Sequence, residues 1–337
     1  MQPLGHPFFD ALERALELHR SGDTMCGAQQ LRAAHGADAE IGLAIALGGE
    51  HGPDACIELA VVLHAAGCFE LAIAACEHAL VLDPRCAVAY GALAWLLPTV
   101  GRDHERTQLY ARWASALPDD PMAVHMHAAT AGRTLDRAAP AYVAALFDEF
   151  ARSFDRALGE LDYRAPEAVA DALLGHVGMG LDGGCGTGLV GARVRERVDG
   201  LVGVDLSAAM IERAAARGIY DALHQGELGE HLARREQEYD AILAADVLVY
   251  VGALEPIAAA IAFALRPGGV AIVTTEQADD TASFALRPSG RFVHHGRAAA
   301  TAFAAAGLVE IETRTIVLRH EHGAAVAGTL TRAKRRS

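Results

Sequence analysis

Residues 181–191, LDGGCGTGLVG, place five glycines in eleven positions. Glycine is costly inside a regular helix or strand, so this cluster indicates a turn where the backbone passes close to a ligand or to another element. A dinucleotide-binding loop needs the spacing G-x-G-x-x-G, and its third glycine would fall at Leu189. The loop instead reads Asp182 followed by glycines at 184, 186 and 188. The spacing therefore argues against a dinucleotide.

Short apolar runs alternate with helical patterns after the glycine loop. Runs rich in apolar and β-branched residues lie at 201–205, 241–250 and 269–275, and the stretches between them have helical patterns. This alternation predicts an α/β fold with a parallel, doubly wound sheet. The loop at 182–188 then ends the first strand, at the sheet edge where such folds bind ligands.

The front half of the chain has a helical pattern with a repeat. Gly67 and Gly101, and likewise Pro84 and Pro118, are 34 residues apart. Segments 53–86 and 87–120 resemble tetratricopeptide repeats, whose period is also 34. The front half is therefore expected to be an all-α domain, either a plain helical cap or a surface that binds a protein or peptide.

Composition and charge limit the partners. The 337 residues carry a net charge of −14, which argues against nucleic acid and against an anionic membrane. The N-terminus has no continuous apolar run typical of a secretory signal. The six cysteines form no C-x-x-C pair and suit reduced thiols in a cytoplasm. Lys334 is the sole lysine, which argues against P-loop and Schiff-base chemistry.

The loop and its downstream landmarks resemble class I S-adenosylmethionine-dependent methyltransferases over about residues 142–332. Asp205 ends the second strand, 23 residues after Asp182, and the resemblance places it at the ribose hydroxyls. Capping of the next helix is its alternative role. Glu227 falls where the family commonly has an acid at the adenine amino group, and helix capping competes here too. LRPGG at 265–269 is the turn that commonly precedes the fifth strand.

The resemblance implies S-adenosyl-L-methionine as the cofactor. It implies cofactor contacts from the glycine loop, from the ends of the second to fourth strands and from the preceding helical segment. These are Tyr163, Asp182, Gly183, Gly184, Cys185, Gly186, Gly188, Asp205, Leu206, Met210, Glu227, Leu228, Asp246 and Val247.

The fourth motif reads ADVLVY, without the D/N-P-P-Y/F of enzymes that methylate nucleobases and glutamine. The acceptor is therefore expected to be an oxygen or an amine on a small molecule, peptide or protein. Tyr250 would face this acceptor. SGRFVHHGR at 289–297 supplies Arg291 to pair with a carboxylate and His294 as a base, although the histidines could equally cap a helix or pack. RHEH at 319–322 is better explained as strand residues beside a turn than as a metal site.

The expected organisation has three parts. Residues 1–135 form the repeat domain, 136–178 form a helical bridge that closes the cofactor pocket, and 179–337 form the S-adenosylmethionine-binding domain. Two functions fit this division. In the first, the chain is a methyltransferase whose repeats either present a peptide or protein acceptor or only shape the pocket for a small molecule. In the second, it is a non-catalytic scaffold that keeps the cofactor-binding fold.

Overall fold

The structure, a computed structural model, describes residues 7–34, 52–278, 283–321 and 323–337. The chain separates into two compact units, Met1–Ala131 and Gly132–Ser337. Within the described ranges, every helix is too short or too polar to span a membrane.

The described part of the first unit, residues 7–34 and 52–131, contains helices and no strand of the two sheets. Its helices are α1 (Pro7–Arg20), α2 (Thr24–Ala34), α3 (Pro53–Ala65), α4 (Phe69–Leu82), α5 (Ala87–Thr99), α6 (Arg106–Ala116) and α7 (Pro121–Thr130), with a 3-10 turn at Asp103–Glu105. Helices α3, α5 and α7 begin 34 residues apart. The helical N-terminal region is thus confirmed.

Aromatic stacking holds the second half of this unit together. Trp113 on α6 is buried. Its ring stacks on Tyr90 with centroids 5.5 Å apart, and on Tyr110 at 6.2 Å. The Trp113 ring therefore packs between α5 and α6.

The second unit is an α/β fold. Its helices are α8 (Pro140–Phe150), α9 (Phe154–Glu160), α10 (Ala165–Ala172), α11 (Leu189–Val194), α12 (Ala208–Ala216), α13 (Leu228–Ala233), α14 (Glu255–Ala264) and α15 (Ala298–Ala305), with 3-10 turns at Arg195–Arg197 and Leu248–Tyr250. Its strands are β1 (Val177–Gly183), β2 (Val198–Asp205), β3 (Ala222–Gln225), β4 (Tyr239–Ala244), β5 (Leu265–Glu276), β6 (Phe284–Leu286), β7 (Phe292–His294), β8 (Val309–Glu321) and β9 (Ala324–Lys334).

The main sheet is mixed rather than wholly parallel. Its order is β3-β2-β1-β4-β5-β9-β8, and strands β1 to β5 run parallel. Strand β9 is antiparallel to both β5 and β8, which corrects the expectation of an entirely parallel sheet. The reason is local: β8 and β9 form a hairpin, and the strands of a hairpin must run antiparallel.

Two apolar clusters cover the two faces of the sheet. Ile242 and Val273 belong to one cluster, together with side chains from α13, α14 and α15. Their chain neighbours Leu243 and Ile272 belong to the other, with side chains from α10 and α11. Successive strand residues point to opposite faces, so a strand buried on both sides reads as a continuous apolar run.

The sequence pattern predicts a fourth strand that extends further than β4 does in the structure. The apolar run at 241–250 continues past the end of β4 at Ala244. Asp246 has φ +58°, and Leu248–Tyr250 form a 3-10 turn. The chain therefore leaves the sheet where the pattern predicts that it continues, and this brings residues 246–250 to the carboxyl edge of the sheet.

Candidate functional site

A cavity opens at the carboxyl ends of β1 to β4, where ligands bind in open α/β sheets. Its empty volume is about 1070 Å³ with the open solvent at its mouth included, which is the size of a small-molecule site. Eleven of the predicted site residues line it. They are Tyr163, Gly184, Gly186, Asp205, Leu206, Glu227, Leu228, Asp246, Val247, Tyr250 and Arg291.

The glycine loop needs two of its glycines for different reasons. Gly184 has φ +65°, and a Cβ there would lie 2.3 Å from the Val247 side chain, so the backbone approaches the β4 end closely. Gly186 has φ +52°, and a Cβ there would meet only Phe154, at 3.7 Å across the cavity. The bare backbone at Gly186 therefore leaves room for a ligand against the loop.

Asp205 joins the glycine loop to the end of β2. Its Oδ2 accepts a hydrogen bond from the Gly186 backbone N–H at 2.8 Å, and its Oδ1 accepts one from the Ser207 N–H at 2.9 Å. Burial raises the pKa of Asp205, and its backbone hydrogen bonds act against that rise. Each oxygen keeps a lone pair for a donor in the cavity.

Asp182 lies behind the loop and is 1% exposed. Its Oδ2 accepts hydrogen bonds from the Gly191 N–H at 2.9 Å and from the Tyr220 hydroxyl at 2.7 Å. Burial raises the pKa of this carboxyl to about 7. The structure thus shows Asp182 holding the start of α11, outside the cavity wall.

Glu227 lies on the same side of the cavity, after β3. Its carboxylate caps α13 by accepting a hydrogen bond from the Glu230 N–H at 2.8 Å. The second oxygen lies 3.5 Å from Nη2 of Arg137. Leu228 packs against the loop, since a Cβ at Gly183 would lie 2.8 Å from its side chain.

Helices α8 and α9 form a wall of the cavity, and two aspartates anchor them. Asp148 accepts a hydrogen bond from the Ser207 hydroxyl at 2.5 Å. Asp155 accepts one from Thr187 of the glycine loop, also at 2.5 Å, and pairs with Arg217. The wall is therefore tied to the loops that follow β1 and β2.

A buried charge cluster lies at the opposite end, above β4, β5 and β8. The Arg319 side chain is 2% exposed, and its guanidinium contacts Glu276 at 2.8 Å, Glu321 at 2.6 Å and Asp246 at 3.4 Å. Arg291 pairs with Glu321 at 3.0 Å. Burial raises the pKa of Asp246, and Arg319 acts against that rise. Both arginines line the cavity.

Six predicted site residues do not line the cavity. They are Asp182, Gly183, Cys185, Gly188, Met210 and His294. Met210 and Cys185 are buried apolar residues of the core. Gly188, with φ +92°, packs against Arg217 and Tyr220, so its glycine serves the turn itself.

His294 ends strand β7 and is 1% exposed. Its Nε2 lies 3.1 Å from the backbone carbonyl of Gly252, and burial lowers its pKa. The ring therefore braces the turn after Tyr250 and does not line the cavity, so its base role stays a prediction.

Sequence reasoning missed Arg319, Glu276 and the aspartates of the α8–α9 wall. Arg319 and Glu276 meet only because β9 lies between β8 and β5, and this pairing leaves no local signal. The RHEH stretch contains Arg319, but its residues fit an ordinary strand; His322 lies outside the described residues. Across the described ranges, no three His, Cys, Asp or Glu side chains are placed so that they could hold a metal ion together.

The lining fits S-adenosylmethionine. Gly186 leaves a backbone cradle, and Asp205 lines the same cavity with oxygens that can accept further hydrogen bonds from two hydroxyls. A cofactor with a diol and an amino group offers donors for such acceptors.

Comparison with known proteins gives the domain its name. Residues 181–269 match the sequence model of a family described as "Methyltransferase domain". The human methyltransferase-like protein 27 is 35% identical over 143 residues, which is 38% of this chain and 56% of that protein. The chain therefore spans about half the length of this curated relative.

Two solved structures resemble part of the chain. A Burkholderia thailandensis 1,6-didemethyltoxoflavin-N1-methyltransferase is 21% identical with a TM-score of 0.48, and the match covers 60% of this chain and 93% of that one. A possible histamine N-methyltransferase from Thermotoga maritima is 17% identical with a TM-score of 0.45, and the match covers 58% of this chain and 100% of that one. Likenesses of this size carry no substrate from one protein to another. The sequence match, and not these structural likenesses, identifies residues 181–269 as a methyltransferase domain, whose cofactor is S-adenosylmethionine.

Proposed function

We propose that the chain is an S-adenosylmethionine-dependent methyltransferase that transfers a methyl group to an oxygen or amine acceptor on a small molecule or peptide. The observation that carries this proposal is the cavity at the end of the methyltransferase domain. There the bare backbone of Gly186 and the carboxylate of Asp205 face one ligand space. The cofactor supplies an electrophilic methyl group, so the chain must hold an acceptor in line with it.

Three residues are proposed to bind the adenosine portion. Asp205 accepts hydrogen bonds from the ribose hydroxyls, because both of its oxygens keep a free lone pair beside the cavity. Glu227 faces the adenine amino group, and Leu228 packs on the ring. All three line the same end of the cavity, above β1 to β3.

Calorimetry and mass spectrometry test the proposed function. Purified protein should bind S-adenosylhomocysteine, the demethylated product, and should not bind NAD. Incubation of cell extract with labelled cofactor should then yield a labelled product. Tight binding of NAD, or no binding of S-adenosylhomocysteine, would refute the proposal.

The helical unit is proposed to be tetratricopeptide-like and to recruit a peptide or protein acceptor. Support comes from α3, α5 and α7, which begin 34 residues apart. Gly67 and Gly101, also 34 apart, have φ +78° and +77°, so corresponding turns have the same backbone geometry. A protein acceptor is therefore the second candidate, and a non-catalytic scaffold the third.

The three-part division, 1–135, 136–178 and 179–337, and a cytoplasmic location stay predictions. All six cysteines are free thiols, which supports a reducing compartment. Segment 136–178 contributes Arg137, Phe147 and Phe154 to the cavity wall, which supports its role in closing the pocket.

A further inference from the structure

The charge cluster around Arg319 leaves one acceptor atom without a donor. Oδ1 of Asp246 is buried and accepts no hydrogen bond from any part of the chain that the structure describes. Oδ2 of the same carboxylate contacts Arg319 at 3.4 Å. Buried polar atoms nearly always have a partner, so an acceptor in a cavity wall that has none indicates a donor on the ligand.

The charges of the cluster favour a cationic or hydrogen-bond-donating ligand. Arg319 and Arg291 contribute two positive charges, and Asp246, Glu276 and Glu321 contribute three negative charges. Both guanidiniums are therefore already matched by carboxylates, and one negative charge remains. An anionic acceptor would face this excess without a free guanidinium to bind it.

Aromatic rings line the same cavity as the unpaired oxygen. Tyr250 lines the cavity four residues after Asp246, and the ring of Phe147 meets it edge to face with centroids 5.6 Å apart. Aromatic faces with a nearby carboxylate suit a nitrogen that is or becomes positively charged. The cavity wall, as far as it is described, contains neither histidine nor lysine.

We propose that the methyl acceptor is a small amine whose N–H donates a hydrogen bond to Oδ1 of Asp246. This inference rests on the proposed function and deepens it. The neutral amine forms the N–C bond with its lone pair while the C–S bond breaks, and that bond's electron pair stays on sulfur. The positive charge thus moves from sulfur to nitrogen, where the Asp246 carboxylate stabilises it, and the excess proton leaves to solvent when the product is released.

An amine fits this wall better than an alcohol does. A nitrogen keeps its proton through the transfer and needs only a counter-charge. A hydroxyl oxygen would have to lose its proton, and burial raises the pKa of both Tyr163 and Tyr250, so their phenols are already protonated. Asp246 would then have to act as a base, and the position of the label in the second experiment below distinguishes that case from an amine. Asp246 therefore has a positioning and electrostatic role that matches nitrogen.

The unpaired oxygen could instead bind the amino group of the cofactor, although strand order separates it from the residues proposed to bind the adenosine portion; the first experiment below decides between the two donors. Asp205 and Glu227 follow β2 and β3, and the glycine loop follows β1. Asp246 follows β4, on the other side of β1, and contacts Arg319 from β8. The acceptor side of the cavity is thus built from different strands than the adenosine side.

The first experiment measures binding of S-adenosylhomocysteine to wild type, Asp246→Asn and Asp171→Asn. Asparagine tolerates positive φ, so the first substitution keeps the turn at Asp246. Asp171 is an exposed carboxylate on α10 and controls for the charge change. We expect Asp246→Asn to bind with an affinity within about threefold of wild type, because S-adenosylhomocysteine carries the cofactor's amino group but no acceptor. A loss of about tenfold or more in this variant alone would assign Asp246 to the cofactor and overturn the proposal.

The second experiment reads the atom that is methylated. Wild type is incubated with S-adenosylmethionine carrying a deuterated methyl group and the fraction of cell extract below 3 kDa, and tandem mass spectrometry locates the label. We expect the label on nitrogen, and we expect Asp246→Asn to make the product about 10- to 100-fold more slowly than Asp171→Asn does.

Each remaining outcome decides the matter. Label on oxygen, or no product in this fraction while S-adenosylhomocysteine still binds, overturns the amine acceptor and leaves the proposed function standing. No S-adenosylhomocysteine binding by wild type refutes the proposed function itself. If Asp246→Asn fails to fold, the product made by wild type still decides between nitrogen and oxygen.

Discussion

Removing the Asp205 carboxylate is expected to weaken cofactor binding without unfolding the methyltransferase domain. Its two oxygens each accept one backbone hydrogen bond, from Gly186 and from Ser207. Each can accept one more, so two bonds to a ribose diol are available. Asp205→Ala removes both.

The size of the effect follows from these two bonds. A hydrogen bond to a charged group contributes about 1.5 to 3 kcal/mol, so two give an upper limit of about 6 kcal/mol. The cavity opens to solvent, and water replaces part of what is lost. We therefore expect a net loss of about 1.5 to 3 kcal/mol, which raises Kd by about 10- to 150-fold.

Calorimetry with two ligands isolates the contact. S-adenosylhomocysteine and its 2′-deoxy analogue are titrated into wild type, Asp205→Ala and the surface control Asp171→Ala, and circular dichroism checks the fold. If Asp205 binds the ribose, the deoxy analogue should lose affinity for wild type but lose much less for Asp205→Ala. Equal losses in both proteins, or binding of S-adenosylhomocysteine by Asp205→Ala within twofold of wild type, would refute the ribose role.

Three further predictions concern the loop, the buried acid and the cavity wall. Gly186→Ala should weaken S-adenosylhomocysteine binding at least about tenfold in calorimetry, because the new Cβ enters the cavity. Gly218→Ala is the control: it also puts alanine at a positive φ, but in open space, and it should bind S-adenosylhomocysteine like wild type. Burial raises the pKa of Asp182 to about 7, so the folded protein holds this proton more tightly than the unfolded chain does. The free energy of unfolding that this difference contributes is fully present below about pH 4 and is lost as the pH rises towards 7. In urea unfolding, the free energy of unfolding of wild type should fall by about 2 to 3 kcal/mol between pH 5 and 8 because of this group, and that of Asp182→Asn should not show this fall. The same pH dependence in both proteins would contradict the prediction. A truncated chain that starts at Gly132 should bind S-adenosylhomocysteine like the full chain. One that starts at Ala141 lacks part of the cavity wall and should bind this ligand more weakly. Equal binding by both truncated chains would show that residues 132–140 are dispensable.

The sequence predicted the features of the site that depend on short sequence patterns. The glycine spacing at 182–188 and the acid at the end of β2 are set by contacts between near neighbours, and Gly186 and Asp205 do meet in the structure. The alternation of strands and helices likewise follows from burial on two faces.

Non-local pairing limited the rest. Arg319 lies in an ordinary strand pattern, and only the position of β8 in the sheet brings it to Asp246. The turn after Ala244 is hidden because residues 245–250 are almost all apolar, so hydrophobicity alone continues the strand. His294 was given a base role from its residue type, but the short β6–β7 hairpin buries it.

The anchoring of the cavity wall by Asp148 and Asp155 affects how much conformational entropy is lost when a ligand binds. These carboxylates hydrogen-bond helices α8 and α9 to Ser207 and Thr187 within the chain itself. The conformational entropy of ordering the wall is therefore lost during folding, and binding need not supply it again. Loss of either anchor would return that entropy cost to the binding step, so the affinity for a ligand in the cavity is expected to depend on two aspartates that lie outside the cavity lining.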